Sequence, residues 1–145
     1  MNVGARKKKV YVAGPMRGYH QSNFPAFDQA ASYLRGRGFE VFNPADHDRE
    51  MGFNGFESDQ PISAETFHEM LRWDLARVSE SDFVVFLDGW QKSRGACAER
   101  TVAHYLGIPC YDIQLAYMMC EMVPQAPLNE PDIVWTEKTD VGPRG

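Results

Sequence analysis

The sequence predicts an α/β fold in one domain, a doubly wound parallel sheet with helices on both faces. β-Rich segments alternate along the chain with segments whose apolar residues repeat at helical spacing, an order typical of parallel sheets. In addition, Phe83–Leu87 is an uninterrupted apolar run, and strands that are covered on both faces show such runs. The length of 145 residues suits a single hydrophobic core.

Four strands are predicted, over Lys9–Gly14, Phe39–Pro44, Phe83–Leu87 and Ile108–Ile113. The first is β-rich and ends at a Gly-Pro pair, and the second ends at an Asn-Pro pair, both of which mark turns. Ligands of such sheets bind beyond the carboxyl ends of the strands. Functional residues are therefore expected after the strand ends.

Four helices are predicted, over Phe24–Gly38, Ser63–Ser81, about Ala96–Leu106 and about Gln114–Met122. In the first, Gly36 and Gly38 supply a stop signal. In the second, Ser63 is the expected N-cap. One apolar stripe follows it, at the spacing of a helix face, and comprises Phe67, Met70, Leu71, Leu75 and Val78.

Two segments are predicted to lack regular structure for most of their length. Residues 45–62 are polar and rich in Gly, Asp and Asn, and a loop of this length in a compact domain is usually functional or mobile. The tail, Pro124–Gly145, is rich in proline and acids and carries one strand-like piece, Asp132–Glu137.

Composition excludes several classes of function. The net charge of −5 argues against a protein that binds a nucleic acid polymer, which usually carries a basic face, and no apolar run is long enough to span a membrane. The histidines are scattered and form no metal motif. The odd number of cysteines, without CxxC spacing, favours reduced thiols in a cytoplasm; they are Cys97, Cys110 and Cys120.

The turn after the first strand is the first candidate binding segment. Gly14 and Gly18 bracket Met16 and Arg17. Glycine lets the backbone approach a ligand closely, and an arginine can hold a phosphate through two parallel hydrogen bonds. The segment matches neither GxGxxG nor GxxxxGK[ST], so it predicts neither a dinucleotide site nor an NTPase loop. A purely structural turn is the alternative.

The segment after the third strand carries a candidate nucleophile. Ser93 and Gly95 lie just before a predicted helix, where free N–H groups and the helix dipole attract anions such as phosphate. Glu99 follows about one turn into that helix. The positive end of the helix is expected to keep it ionised, as a nucleophile requires. The alternative is an ordinary surface glutamate.

A second carboxylate, Asp74, lies at the margin of the buried face of its helix, where it needs partners or a function. Pairing with Arg77 or Arg100 is the alternative to a catalytic role. Two carboxylates that point into one cleft suit glycosidic-bond chemistry, in which one attacks the sugar carbon while the other handles a proton or a sugar hydroxyl.

Further residues are expected near the cleft. Asp88 stands at the carboxyl end of the third strand and is expected to face the site. Several aromatic residues in loops are candidates to stack on a base, although packing is the more frequent role of such residues. They are Trp90, Tyr19, Phe53 and Phe56.

Three segments together carry a family resemblance, "YVAGPMRG", "RWDLARVSESDFVVFL" and "SRGACAERTVAHYLGIP". Over roughly residues 9–113 the chain resembles the nucleoside 2-deoxyribosyltransferase superfamily, which has a Rossmann-like or flavodoxin-like sheet. It looks like a member of a small phage and bacterial branch and is also similar to the 2′-deoxynucleoside 5′-monophosphate N-hydrolases. The resemblance implies that Glu99 is the nucleophile and that Asp74 assists at the sugar or the leaving base.

The resemblance also implies the binding partners. Arg17, Gly18 and Ser93 match residues that serve the 5′-phosphate in the nucleotide hydrolases. Transferases of free nucleosides usually have an acid where Ser93 stands. Pro15 and the Ala96–Ala98 segment depart from the family pattern near the phosphate. No cofactor is needed, and a homodimer or larger homo-oligomer is implied because a neighbouring subunit often completes the active site.

The expected function is cleavage of the N-glycosidic bond of a (deoxy)nucleoside 5′-monophosphate through a glycosyl-enzyme on Glu99, with hydrolysis releasing the free base. A deoxyribosyltransferase that exchanges bases is the near alternative. A non-catalytic nucleotide-binding or sensing module on the same fold is a further alternative. A phosphoribohydrolase of the cytokinin-activating type would predict a PGGxGT stretch, which the sequence lacks.

Overall fold

The computed structural model describes residues 6–55 and 61–121. Its strands form one sheet in which every strand is parallel to its neighbours, in the order β2-β1-β3-β4. They are β1 (Lys9–Ala13), β2 (Glu40–Phe42), β3 (Phe83–Phe86) and β4 (Cys110–Asp112). The predicted α/β fold with a parallel sheet, of the Rossmann-like kind, is therefore confirmed.

Five α-helices connect and follow these strands: α1 (Phe24–Gly36), α2 (Pro44–Glu50), α3 (Ala64–Glu80), α4 (Arg94–Tyr105) and α5 (Ile113–Glu121). Two short 3₁₀ segments, His20–Asn23 and Trp90–Lys92, precede α1 and α4. The N-cap expected for α3 is confirmed, because the Oγ atom of Ser63 accepts a hydrogen bond from the Thr66 N–H at 3.1 Å.

Helices cover both faces of the sheet, and the alternation of side chains along β1 shows how. Val10 and Val12 point to a core layer that α1 and α5 complete. Tyr11 and Ala13 point to the opposite layer, which α3 and α4 complete. Because residues in a strand alternate between the two faces, both sets of side chains from Val10 to Ala13 are buried.

The connection from β1 leads to β2 on one side of the central pair, and the connection from β3 leads to β4 on the other side. The strand order therefore reverses between β1 and β3. A crevice opens at such a switch point, beyond the carboxyl ends of the strands. Val12 of β1 pairs with Val85 of β3, and Ala13 pairs with Phe86. The loops that follow Ala13 and Phe86 therefore start side by side.

The prediction of a loop over residues 45–62 is wrong at its start, where α2 occupies Pro44–Glu50. The Asn43 side chain caps this helix by accepting a hydrogen bond from the Ala45 N–H at 3.0 Å. Proline at the first position fits a helix start, because its fixed φ angle is already helical and its missing N–H is not needed there. These local signals outweigh the polar, loop-like composition.

Helix α4 begins at Arg94, two residues earlier than predicted. Ser93 is its N-cap, with the Oγ atom accepting a hydrogen bond from the Ala96 N–H at 3.1 Å. Gly95 therefore lies inside the first turn of the helix and not before it. Glu99 lies in the second turn.

Parts of the predictions fall outside the described residues. Phe56 and the rest of residues 56–60 do so, as does the tail from about 124 with its strand-like piece Asp132–Glu137. A single domain over residues 1–145 thus stays a prediction. Within the described ranges, no helix is both long and apolar enough to cross a membrane.

Candidate active site

A cavity of about 850 Å³ opens at the switch point of the sheet. Its walls come from the β1–α1 loop, the starts of α1, α2 and α4, and the amino-terminal half of α3. Much of its lining is apolar, and we call the following side chains the apolar wall: Phe24, Phe27, Phe53, Ile62, Phe67, Met70 and Leu71. The rest of the lining includes carboxylates, glycines, and cationic and hydroxyl side chains. Of the apolar stripe predicted on α3, only Val78 is buried, whereas three of its residues face the cavity.

Glu99 reaches the cavity from the second turn of α4 and is only 6% exposed. The Tyr11 hydroxyl, which rises from the middle of β1, donates a hydrogen bond to its Oε2 atom at 2.6 Å. The tyrosine is fully buried. The sheet and the helix thus fix the Glu99 carboxyl group in one orientation.

Two aspartates share the cavity with Glu99, Asp74 from α3 and Asp48 from α2. Burial, followed by the negative charge of Asp48, raises the pKa of Asp74 to about 7, although the Tyr11 hydroxyl acts in the opposite direction. Burial also raises the pKa of Asp48 to about 7. Of the two arginines that were the alternative partners of Asp74, Arg77 and Arg100, the first pairs with Glu80 instead at 2.6 Å.

The ionisation of Glu99 differs from the expectation based on the helix dipole. Its pKa is raised well above the usual range, chiefly by burial and then by the charge of Asp74; the hydrogen bond from Tyr11 acts against this rise and the charge of Asp48 adds to it. Three close carboxyl groups in an apolar setting cannot all be ionised. The group titrates as a unit that retains protons near neutral pH.

The amino-terminal end of α4 forms a positive rim on the same cavity. Ser93 and Gly95 line it, together with the neighbouring cations Lys92 and Arg94. A Cβ atom added at Gly95 would lie 3.9 Å from the Ser93 Oγ atom and near nothing else. The glycine therefore leaves open space in front of the helix end, where N–H groups attract anions.

The β1–α1 loop supplies the opposite rim. Gly14, Met16 and Arg17 line the cavity, and the Arg17 side chain is exposed. Gly14 also has a packing role, because an added Cβ would lie 2.8 Å from the Cβ atom of Leu87. Gly18 lies outside the cavity lining and has a φ angle of +82°, so a turn requires glycine there.

The same loop contains an unusual backbone segment. Gln21, Ser22 and Asn23 have φ angles of 52°, 52° and 61°, a left-handed conformation that is costly for residues other than glycine. The Asn23 side-chain amide donates a hydrogen bond to the Pro15 carbonyl oxygen at 2.8 Å. This bond ties the start of α1 back to the turn after β1.

Besides Gly18, two predicted site residues are not brought to the cavity. Trp90 is 1% exposed and packs on Phe86, with ring centroids 4.9 Å apart. It belongs to the core and is too deeply buried to stack on a base. Asp88 is exposed and accepts a hydrogen bond from the Gln114 amide at 3.2 Å, outside the cavity lining. Tyr19 and Phe53 do line the cavity.

Sequence reasoning missed Tyr11 and Asp48. A tyrosine inside a buried strand was a signal, because a buried hydroxyl requires a hydrogen-bond partner. Asn43-Pro44 was a signal for α2, which would have put Asp48 on a helix next to a strand end. Among residues 6–55 and 61–121, no cluster of His, Cys, Asp and Glu has the arrangement needed to hold a metal ion.

Comparison with known proteins supports the fold. A 2-deoxyribosyltransferase from the psychrotolerant bacterium Bacillus psychrosaccharolyticus, described as a biocatalyst for the synthesis of nucleosides, is similar in structure, with a TM-score of 0.54 and 22% sequence identity. The similarity covers 72% of this chain and 70% of that one. No curated protein matches the sequence.

A family model matches over most of the folded core. It spans residues 8–112 and is described as a domain of unknown function, DUF4406. The matched segment runs from β1 to the end of β4 and includes every carboxylate of the cavity. The chain therefore belongs to the DUF4406 family.

Proposed function

We propose that the protein is an enzyme that cleaves the N-glycosidic bond of a (deoxy)nucleoside 5′-monophosphate, with Glu99 as the nucleophile. The observation that carries this proposal is the convergence of Glu99, Asp74 and the Tyr11 hydroxyl in a cavity with an apolar wall. The apolar wall suits a base, and the carboxylates suit the sugar. The rim at the start of α4 suits a phosphate.

In the first step, ionised Glu99 attacks C1′ as the bond to the base breaks through an oxocarbenium-like transition state. The electron pair of the broken bond leaves with the base, which takes up a proton. The Tyr11 hydrogen bond holds the attacking oxygen in place and favours the ionised form of Glu99. Asp74 assists at the sugar or the leaving base.

In the second step, water attacks C1′ and displaces Glu99, so that the sugar phosphate is released with retained configuration. Base exchange, in which a second base replaces the water, is a second candidate. The structural similarity to a 2-deoxyribosyltransferase favours it. Both reactions share the first step, and access of water to the glycosyl-enzyme decides between them.

Ser93, Gly95 and Arg17 favour a nucleotide over a free nucleoside. The Ser93 oxygen already accepts the Ala96 N–H, so its own hydrogen remains available as a donor to a phosphate oxygen. Cationic side chains at the rim add favourable electrostatics. The proposal for a monophosphate therefore rests on groups that a nucleoside would leave unused.

A panel of nucleosides and 5′-monophosphates, incubated with and without an acceptor base, tests the proposal by chromatography of the released or exchanged base. We expect release from monophosphates, and a loss of at least about 10³-fold in Glu99→Gln. Glu80→Gln, on an exposed surface, is the matched control and is expected to retain activity. Absence of release and exchange with every substrate would refute the enzymatic proposal.

A further inference from the structure

The Asp48 side chain has no partner that explains its burial. It is 7% exposed and lines the cavity, yet it forms no hydrogen bond or ion pair with any side chain in the described parts of the chain. A carboxyl group in this situation is costly unless it is protonated or meets a ligand. Two hydrogen bonds fix helix α2, which carries Asp48. The Asn43 side chain caps its start, and the Phe53 N–H donates to the backbone carbonyl oxygen of Asp48.

Burial favours the protonated form of Asp48. It raises the Asp48 pKa to about 7, although the positive charge of Arg49 on the same helix acts in the opposite direction. Asp74 on α3 and Glu99 on α4 line the same cavity, and the negative charge of Asp48 raises the pKa of both.

Asp48 also differs from the other two carboxyl groups in its link to Tyr11. The hydroxyl stabilises the ionised forms of Glu99 and Asp74, whereas it does not act on Asp48. Asp48 therefore lacks the hydrogen bond that favours the ionised form of the other two carboxyl groups, and its side chain lines the cavity without a partner among the described residues. Phe53 follows on the same segment and lines the apolar wall, which is the side where a base would lie.

We propose that Asp48 is the general acid of the reaction and that it donates its proton to a ring nitrogen of the leaving base, as N7 of a purine offers. This inference rests on the proposed function. As the C1′–N9 bond breaks and its electron pair moves to the base, the Asp48 proton passes to N7, and the base leaves as a neutral molecule. Asp48 is left as a carboxylate, and the water that later attacks C1′ returns a proton to it.

Leaving-group chemistry separates this role from a structural one. A purine methylated at N7 already carries a positive charge and leaves without a proton. We therefore compare deoxyguanosine 5′-monophosphate with its N7-methylated form, correcting for uncatalysed release, in the wild type and in Asp48→Asn. The matched control is Asp46→Asn, on the same helix but outside the cavity lining, where Asp46 pairs with Arg35 and Arg49.

Asp48→Asn is expected to release guanine at least about 10²-fold more slowly, the usual contribution of a general acid, and to release N7-methylguanine within about fivefold of the wild type. Asp46→Asn is expected to match the wild type on both. Equal losses on both substrates, or an unchanged guanine rate, would overturn the role of Asp48 while leaving the proposed function intact. A wild type that is inactive on both but active on pyrimidine monophosphates would overturn the role at purine N7 and leave the proposed function intact, whereas inactivity on the whole panel of nucleosides and 5′-monophosphates would overturn both.

The pH dependence of the wild type is a second test that requires no variant. The rate with the ordinary nucleotide is expected to fall as the pH rises above about 7, because Asp48 loses its proton. The rate with the N7-methylated nucleotide is expected to show no such fall. Identical alkaline limbs for the two substrates would overturn the role.

Discussion

At the scale of single residues, the Tyr11 hydroxyl connects the sheet to Glu99, the nucleophile that we propose. Its hydrogen bond to Glu99 lowers the Glu99 pKa against the effects of burial and of Asp74. A nucleophilic carboxyl group must be ionised, so this hydrogen bond supports the nucleophilic role that we propose for Glu99. In that proposal the sheet contributes to the chemistry as well as to the scaffold.

Tyr11→Phe is expected to lower the rate about 10- to 10³-fold and to move the acid limb of the pH profile to higher pH. The sign follows from the removed hydrogen bond, since the Glu99 pKa rises and ionisation then requires a higher pH. Rate measurements across the pH range check this. Tyr33→Phe, distant from the cavity, is the control, and an unshifted acid limb in Tyr11→Phe would contradict the role.

Gly95 offers a separate test of the phosphate site. Gly95→Ala places a methyl group in the space before α4, and a phosphate bound there would collide with it. We expect KM for a monophosphate to rise about tenfold, equivalent to about 1.4 kcal/mol, with kcat/KM for the free nucleoside unchanged. Stability is expected to rise by about 0.5 kcal/mol, because alanine is the better helix former.

Gly36→Ala is the matched control, because Gly36 also lies in a helix. An added Cβ at Gly36 would have nothing within 4 Å, and Gly36 does not line the cavity. It is expected to gain similar stability with no change in KM. If Gly95→Ala lowered kcat/KM equally for the monophosphate and for the free nucleoside, the proposed phosphate site would be contradicted.

At the scale of elements, the strand and helix pattern was predictable because it depends on the spacing of apolar residues. The uninterrupted run Phe83–Leu87 and the glycines that end α1 are local signals. Helix α2 was not predicted because its polar composition is that of a loop, although Asn43 and Pro44 mark its start. Asp48 was missed with it.

The cavity lining was predictable for several residues in the segments that follow the strand ends, as with Arg17, Ser93 and Glu99, which all line it. It was not predictable where packing decides. Trp90 follows β3 by a few residues, but a 3₁₀ turn folds it into the core beside Phe86. Sequence spacing places a residue near an edge of the sheet; only the packed structure shows which way it faces.

The left-handed segment before α1 gives a prediction at this scale. Asn23→Ala loses both the hydrogen bond to Pro15 and a residue that tolerates a φ angle of 61°. We expect it to lower the free energy of unfolding by about 2 kcal/mol. Asn23→Gly keeps the backbone conformation and loses only the hydrogen bond, so its loss is expected to be about half as large. Urea denaturation measures both, and equal losses would contradict the assigned strain.

At the scale of the whole molecule, the cavity opposes stability. Burial raises the pKa of Asp48 to about 7 on folding, from about 3.9 in the unfolded chain, so between these values the folded chain binds more protons than the unfolded chain. Stability therefore falls as the pH rises through this window. Asp74 acts with the same sign. His47, whose pKa burial lowers, acts with the opposite sign near neutral pH.

Asp48→Asn isolates the contribution of one group. The asparagine cannot ionise, so the variant does not lose the unfolding free energy that the wild type loses at Asp48 between pH 5 and pH 8. We expect its gain in the free energy of unfolding over the wild type to be larger at pH 8 than at pH 5 by about 1 to 3 kcal/mol, given about 1.4 kcal/mol per pKa unit. Urea denaturation at the two pH values provides the measurement.

Asp46→Asn provides the comparison, because its side chain is 44% exposed and its ion pairs lie at the surface. It is expected to change stability by less than about 1 kcal/mol at both pH values. If the gain of Asp48→Asn were the same at pH 5 and pH 8, Asp48 would already be ionised in the fold at pH 5. A larger gain at pH 8, together with slower release of ordinary purines, would show that the same buried proton is a cost to the fold and a resource for the reaction.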